Sequence, residues 1–253
     1  MITDFTINGV TVINERFEFA ITKNLTPDSV GMFFLDLPYG TTACEWDKKV
    51  NTSLLWSSIK YCMKKDAPII FTSNQPFTTD IINSNPKMYK FPMYWMKNKV
   101  TGNMIAKNQP MRRVEEVHVF GNSSITYNPQ GLVKLQKARE RKGTRKGGSY
   151  VGNKEEKGVQ EFENYPDNVI YFDMDADSWH PTQKPVALVE HLIKTFSNEG
   201  DLIVDLTAGS LTTGVATIRA GKRRAVLFEQ KSEFFLKGKT RLENEIQQQK
   251  LSI

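Results

Sequence analysis

Short apolar runs, each closed by a single acidic residue, recur along the chain. Val30 to Leu35 ends at Asp36, Leu202 to Val204 ends at Asp205, and Ala225 to Phe228 ends at Glu229. Consecutive apolar positions fit a strand buried on both faces, as in a parallel sheet. Pro68 to Thr72 is a further short apolar strand. Between these runs the apolar positions take helical spacing. Leu54 to Met63 reads as an amphipathic helix, and Thr78 to Ile82 begins another. Val186, Leu188, Val189, Leu192 and Ile193 define a third helix, opened by Pro185 and stopped by Gly200. The turn from Leu206 to Ser210 leads into a helix through Val215 and Ile218 that Gly221 closes. Ser232 can cap a last helix reaching toward Gln248. Strand, turn, helix and strand in this order predict parallel βαβ units, hence an α/β fold with a doubly wound, mostly parallel sheet. Met93 to Lys97 and Val114 to Phe120 are extended segments expected to form an antiparallel hairpin at its edge.

The pattern breaks between Gly121 and Ser178, where little is apolar enough to build a core. Lys134, Lys137, Arg139, Arg141, Lys142, Arg145 and Lys146 crowd this stretch. We read 1–253 as one domain carrying an insertion at 122–178. Composition agrees with a globular chain: of 253 residues, 39% are hydrophobic and 25% charged. The net charge of +6 suits a polyanionic partner, although many proteins without one are as basic. Cys44 and Cys62 form no CxxC pair and have no histidine at ligand spacing, so neither a disulfide framework nor a structural metal is expected. No run approaches the roughly 20 apolar residues of a membrane span, and Met1-Ile2-Thr3-Asp4-Phe5 shows no basic region followed by an apolar run. A cytoplasmic location is the expectation.

Two acidic strand ends have the layout of a nucleoside site. In open α/β sheets, ligands collect at the carboxyl ends of strands, over a helix N-terminus. Asp205 precedes a Gly-containing turn and a helix. Glu229 closes the next strand, about 20 residues on, where an acid can accept hydrogen bonds from ribose hydroxyls. Gly209 permits close backbone approach. No dinucleotide fingerprint is present, which argues against a dehydrogenase.

The third acidic end, Asp36-Leu37-Pro38-Tyr39, suits chemistry on an exocyclic base amine. Such an amine is a poor nucleophile because its lone pair is delocalised into the ring. Acceptors on its two hydrogens free that pair. Asp36 supplies one acceptor and the Leu37 carbonyl another, since Pro38 holds Leu37 extended. Tyr39 offers a face on which a displaced base can stack. An acidic strand end followed by an ordinary Pro-Tyr turn has the same four residues.

Together these motifs resemble those of the beta-class DNA amino-methyltransferases. Asp36-Leu37-Pro38-Tyr39 is similar to their Asp-Pro-Pro-Tyr motif. Asp205-Leu206-Thr207-Ala208-Gly209-Ser210-Leu211-Thr212-Thr213 resembles the cofactor motif Asp-Pro-Phe-x-Gly-Ser-Gly-Thr-Thr, and His180-Pro181-Thr182-Gln183-Lys184-Pro185 the motif before it. Ser73-Asn74-Gln75-Pro76-Phe77 and Trp95-Met96-Lys97 look like segments of phage- and prophage-type members. The resemblance implies a Rossmann-like methyltransferase core that takes S-adenosyl-L-methionine. Asp205, Thr207, Ala208, Gly209, Ser210, Thr212, Thr213 and Glu229 would surround the cofactor, with Thr182, Gln183 and Lys184 beside its methionine part. Asp36, Leu37, Pro38 and Tyr39 would handle the flipped base. His180, His118 and His191 are expected to be structural.

The basic insertion falls where this class places target recognition, so its lysines and arginines would bind DNA phosphates. The expected activity is methyl transfer to adenine N6 in double-stranded DNA, without metal or covalent intermediate. Aspartate rather than serine in first place favours adenine over cytosine N4. RNA or protein-glutamine methylation and a non-catalytic DNA-binding subunit are the other readings. A monomer or homodimer is expected, and a paired restriction nuclease is a further candidate partner. Leu211, in place of the second motif glycine, is bulky and disfavours positive φ, so cofactor affinity is where this chain departs from the pattern.

Overall fold

A computed structural model describes residues 3–40, 49–141, 158–180 and 182–251. In chain order the elements are β1 (Phe5–Ile7), β2 (Val10–Ile13), α1 (Phe17–Asn24), β3 (Met32–Leu35), α2 (Thr52–Cys62), β4 (Ile69–Ser73) and α3 (Phe77–Ser84). There follow β5 (Tyr89–Thr101), β6 (Arg112–Phe120), β7 (Val133–Arg141), β8 (Gly158–Glu163) and β9 (Val169–Tyr171). The chain continues through α4 (Val186–Phe196), β10 (Leu202–Asp205), α5 (Thr212–Ala220), β11 (Arg224–Phe228) and α6 (Ser232–Leu251).

Nine strands form one sheet in the order β1-β2-β11-β10-β3-β4-β6-β5-β9. The five from β2 to β4 run parallel, and β6 begins an antiparallel stretch against β4 and β5. The all-apolar run of β3 follows from its central position. Met32 and Phe34 face a core shared with α4, α5 and α6, whereas Phe33 and Leu35 face one shared with α1, α2 and α3. All four side chains are buried. The sheet's main strands thus fall where the apolar runs predict them. The β1–β2 hairpin and α1 lie outside that prediction.

Strand order reverses between β10 and β3. From β10 the chain winds through α5 to β11 on one side, and from β3 through α2 to β4 on the other. At such a switch point the two outgoing loops separate and leave a crevice at the carboxyl ends of the strands. Val204 pairs with Phe33, so Asp205 and Asp36, far apart in sequence, both emerge at this crevice.

The sequence predicts an insertion over 122–178. Pro129–Asp167 forms a separate compact unit, while 122–128 and 168–178 belong to the core unit. There, Val169–Tyr171 pairs with β5 as an edge strand. Its Val-Ile-Tyr run is short, and its polar flanks hide it from periodicity. The separate unit is the antiparallel β7–β8 hairpin, pairing Val133 with Glu163 and Arg141 with Gly158. Lys134, Lys137 and Arg139 stand exposed on β7, which also includes Arg141. Lys142, Arg145 and Lys146 lie outside the described residues, as does Cys44. Among the described residues no helix is long and apolar enough to cross a membrane.

Candidate active site

A cleft of about 1120 Å³ opens at the switch point. Every residue expected at the base or the cofactor borders it: Asp36 to Tyr39, Thr182 to Lys184, Asp205, Thr207 to Ser210, Thr212, Thr213 and Glu229. Its volume exceeds that of an ordinary single-ligand pocket, roughly 300–1,000 Å³, and leaves room for two bound groups.

One wall is the turn between β10 and α5. Asp205 accepts from the Thr207 amide at 3.0 Å and from Thr213 Oγ1 at 2.5 Å. Burial pushes its carboxyl up to about 7, more than those bonds lower it. Glu229 accepts from the Gly209 amide at 2.8 Å and the Lys231 amide at 2.7 Å, and burial raises its carboxyl too. Arg241 of α6 donates to the Ser210 carbonyl at 2.9 Å and Thr212 Oγ1 at 2.8 Å. Leu211 takes the left-handed conformation, φ 57°, that its side chain was expected to resist. The reason lies in packing. Leu211 is fully buried, and Gly238 of α6 leaves the notch that receives it: a Cβ on Gly238 would overlap Leu211 Cγ. Burying a leucine gives about 1.5–3 kcal/mol, enough to offset the cost of that backbone conformation.

These carboxylates fit a nucleoside bearing a sulfonium. The amide of Gln183 donates to Asp175 at 3.2 Å, while its buried Oε1 has no hydrogen-bond partner among the described residues. A free buried acceptor there suits an ammonium group.

The raised Asp205 carboxyl has a consequence for stability. Its folded value lies above its unfolded one, so its contribution is fully present below about pH 4 and lost as pH rises through about 7. Asp205→Asn should therefore melt higher than the parent at pH 8, by an amount on the order of a few kcal/mol, and no higher at pH 4. Thermal melts without cofactor across pH 4–8 measure this; a pH-independent difference would contradict it.

The opposite wall carries Asp36. Its Oδ1 accepts from Thr72 Oγ1 (2.6 Å), Lys184 Nζ (2.8 Å) and Tyr39 Oη (3.1 Å). Among the described residues its Oδ2 accepts from Lys184 alone, at 2.7 Å. Oδ1 is saturated, and Oδ2 keeps a lone pair for a further donor. Tyr39 stacks on Phe77 with centroids 4.9 Å apart, and burial holds its hydroxyl well above the usual phenol range, so it stays a donor. Thr207 Oγ1 donates to the Asp36 carbonyl at 3.2 Å and ties the two walls together.

The N6/N4 methyltransferase profile of the DNA methylase family matches residues 30–239. The chain belongs to this DNA methylase family. Over 70 residues the chain is 44% identical to the DNA adenine methyltransferase YhdJ of Escherichia coli (strain K12), across 28% of this chain and 24% of that one. The match thus spans about a quarter of the length of that curated relative. The M1.HpyAVI–SAM complex aligns with a TM-score of 0.64 at 20% identity, covering 92% of this chain and 98% of that one. The cytosine-N4-specific PvuII DNA methyltransferase gives 0.67 at 13% identity, covering 96% and 92%. At these identities the two structures share the fold.

Lys184 borders the cleft and makes two ion pairs. Expected beside the methionine part of the cofactor, its ammonium bridges Asp36 and Glu115, the latter at 3.1 Å. Sequence reasoning missed Glu115, Lys97, Asp175 and Arg241. Glu115, Val117 and Val119 alternate on one face of β6, and that alternation marks Glu115 as inward-facing. Asp175 accepts from the Val186 amide at the start of α4 and lies 3.6 Å from Arg241. His180 borders the cleft, its ring edge-on to Phe234 at 4.6 Å, and burial lowers its imidazole so that it is neutral at pH 7. His118 is buried beside Glu116, and His191 lies against Phe172.

Proposed function

We propose that this DNA methylase binds S-adenosyl-L-methionine against Asp205 and Glu229 and methylates adenine N6 in DNA. The observation that carries this reading is the single cleft in which the open Oδ2 of Asp36 shares walls with both acidic strand ends. The flipped base enters beside Tyr39, braced by Phe77. Its amine donates one hydrogen to Asp36 Oδ2 and the other to the Leu37 carbonyl, and the freed lone pair faces the methyl group. When bound, the cofactor would supply that methyl on a sulfonium, leaving as a neutral thioether, and the methylated nitrogen would release one of its two donated protons to solvent. The protein contributes position and electrostatics rather than a covalent step. The named adenine methyltransferase among the relatives and aspartate at position 36 both favour adenine.

DNA as the substrate draws support from two basic surfaces. One is β7, with Lys134, Lys137 and Arg139 exposed; we assign target recognition to the 129–167 unit. The other is the tip between β5 and β6, where Lys99, Lys107, Arg112 and Arg113 are exposed and no acidic residue occurs between 98 and 114. Arg112 and Thr101 also border the cleft. Neutralising Lys107, Arg112 and Arg113 together should flatten the slope of log affinity against log salt by about 0.9 for every phosphate that the variant no longer neutralises. An unchanged slope would remove the tip from the DNA surface.

Labelled cofactor, mixed-sequence DNA and nucleoside chromatography test the whole reading. Label in N6-methyladenine is the expected result. Label in N4-methylcytosine would overturn the base assignment, and no transfer with intact DNA binding would support the non-catalytic alternative.

A further inference from the structure

Glu115 is a carboxylate in the body of a sheet, with its side chain 9% exposed. A buried charge is costly unless it is compensated, and here the compensation is shared. Lys184 Nζ stands 2.7 Å from Asp36 Oδ2 and 3.1 Å from Glu115 Oε1. Lys97 Nζ stands 3.6 Å from the other carboxylate oxygen, Glu115 Oε2, with the Trp95 ring 5.7 Å off. Negative and positive groups alternate along this buried row. Glu115 Oε1 lies outside hydrogen-bonding geometry despite its short distance, so charge rather than direction joins it to Lys184.

The arrangement matters because of what methylation does to an amine. Its nitrogen gains positive charge as the new bond forms, before a proton is lost, and nearby negative charge stabilises that state. Asp36 paired with Lys184 alone would be neutral, its charge spent on the ammonium. Glu115 on the far side draws part of the same ammonium's field. We propose that Glu115 is a positioning residue of the transfer step, acting through Lys184 to leave the charge of Asp36 available to the amine. This rests on Asp36 being the acceptor for the base.

The charged and titratable groups facing the Lys184 ammonium are Asp36 and Tyr39 after β3, Glu115 on β6, Lys97 on β5 and His180 ahead of α4. Burial opposes its charge, but Asp36 and Glu115 together outweigh burial and hold it well above the usual lysine range. Removing the charge of Glu115 lowers the lysine and leaves the remaining ammonium entirely to Asp36.

Glu115→Gln should therefore lower kcat at pH 7 about tenfold or more, with DNA KM and cofactor affinity by calorimetry within about threefold. Adding Lys184→Met to Glu115→Gln should give a faster enzyme than Glu115→Gln alone, because the neutralising cation is gone. A double variant no faster than the single one, or lost cofactor binding, would each overturn the proposal in favour of a structural charge. Asp36→Ala in the same assay separates the two readings. If it is inactive while Glu115→Gln matches the parent, only the role of Glu115 fails. If Asp36→Ala remains active, the base site itself is misplaced.

Discussion

Replacing Asp36 by alanine should cut methyl transfer by about three orders of magnitude and leave cofactor affinity within a few-fold. The carboxylate is the only Asp36 group that Thr72, Tyr39 and Lys184 engage, and none of its side-chain bonds reaches the turn that follows β10. The link between the walls runs through the Asp36 backbone carbonyl, which alanine keeps. Glu115 still partners Lys184 in the variant, so the ammonium is not stranded. Asp36→Asn is the finer probe, because it preserves shape and one acceptor but removes charge. It should retain more activity than alanine and far less than the parent. Calorimetry with cofactor and single-turnover transfer decide the matter; a variant that no longer binds cofactor would move Asp36 into the cofactor site.

The second large effect is expected where no ligand is touched. Gly238→Ala should destabilise the protein by about 3 kcal/mol or more, because the added methyl would overlap Leu211 Cγ and lie 3.2 Å from its Cβ. Those atoms sit near the backbone of a fully buried residue and cannot swing away. For a chain of this size that corresponds to a fall in Tm of roughly 6–12 °C. Cofactor affinity should fall too, since Leu211 heads α5 and its displacement moves the turn. Leu211→Gly removes the obstacle, so the double variant should be more stable than the sum of the two single losses implies. Denaturant melts of all four proteins measure the coupling. Strict additivity would show that the notch does not hold the leucine.

This pair also shows how far sequence reasoning reaches. Leu211 was legible as a departure from the cofactor motif, but its remedy lay in Gly238, which in sequence is one glycine in a polar helix. The strands β3, β10 and β11 were readable because burial on both faces leaves no alternation to decipher. The β1–β2 hairpin and α1 carry weaker patterns. Within the site, the acids at strand ends could be placed from the chain alone, because a strand's end fixes which end of the sheet it serves. The partner of Lys184 could not. Its proximity to Asp36 follows from the reversal of strand order between β10 and β3, a property of the assembled sheet. For the same reason 168–178 reads as part of an insertion, although Val169 to Tyr171 completes the sheet and Asp175 fastens α4.

The cofactor turn is gripped by its own acids. Glu229 and Asp205 hold the amides of Gly209, Lys231 and Thr207. A loop that arrives in its final shape loses little freedom when a small molecule settles on it. Association at this wall should then proceed at a pace set by diffusion and access to the cleft. Variants that weaken the grip should shorten the time a cofactor stays more than they slow its arrival.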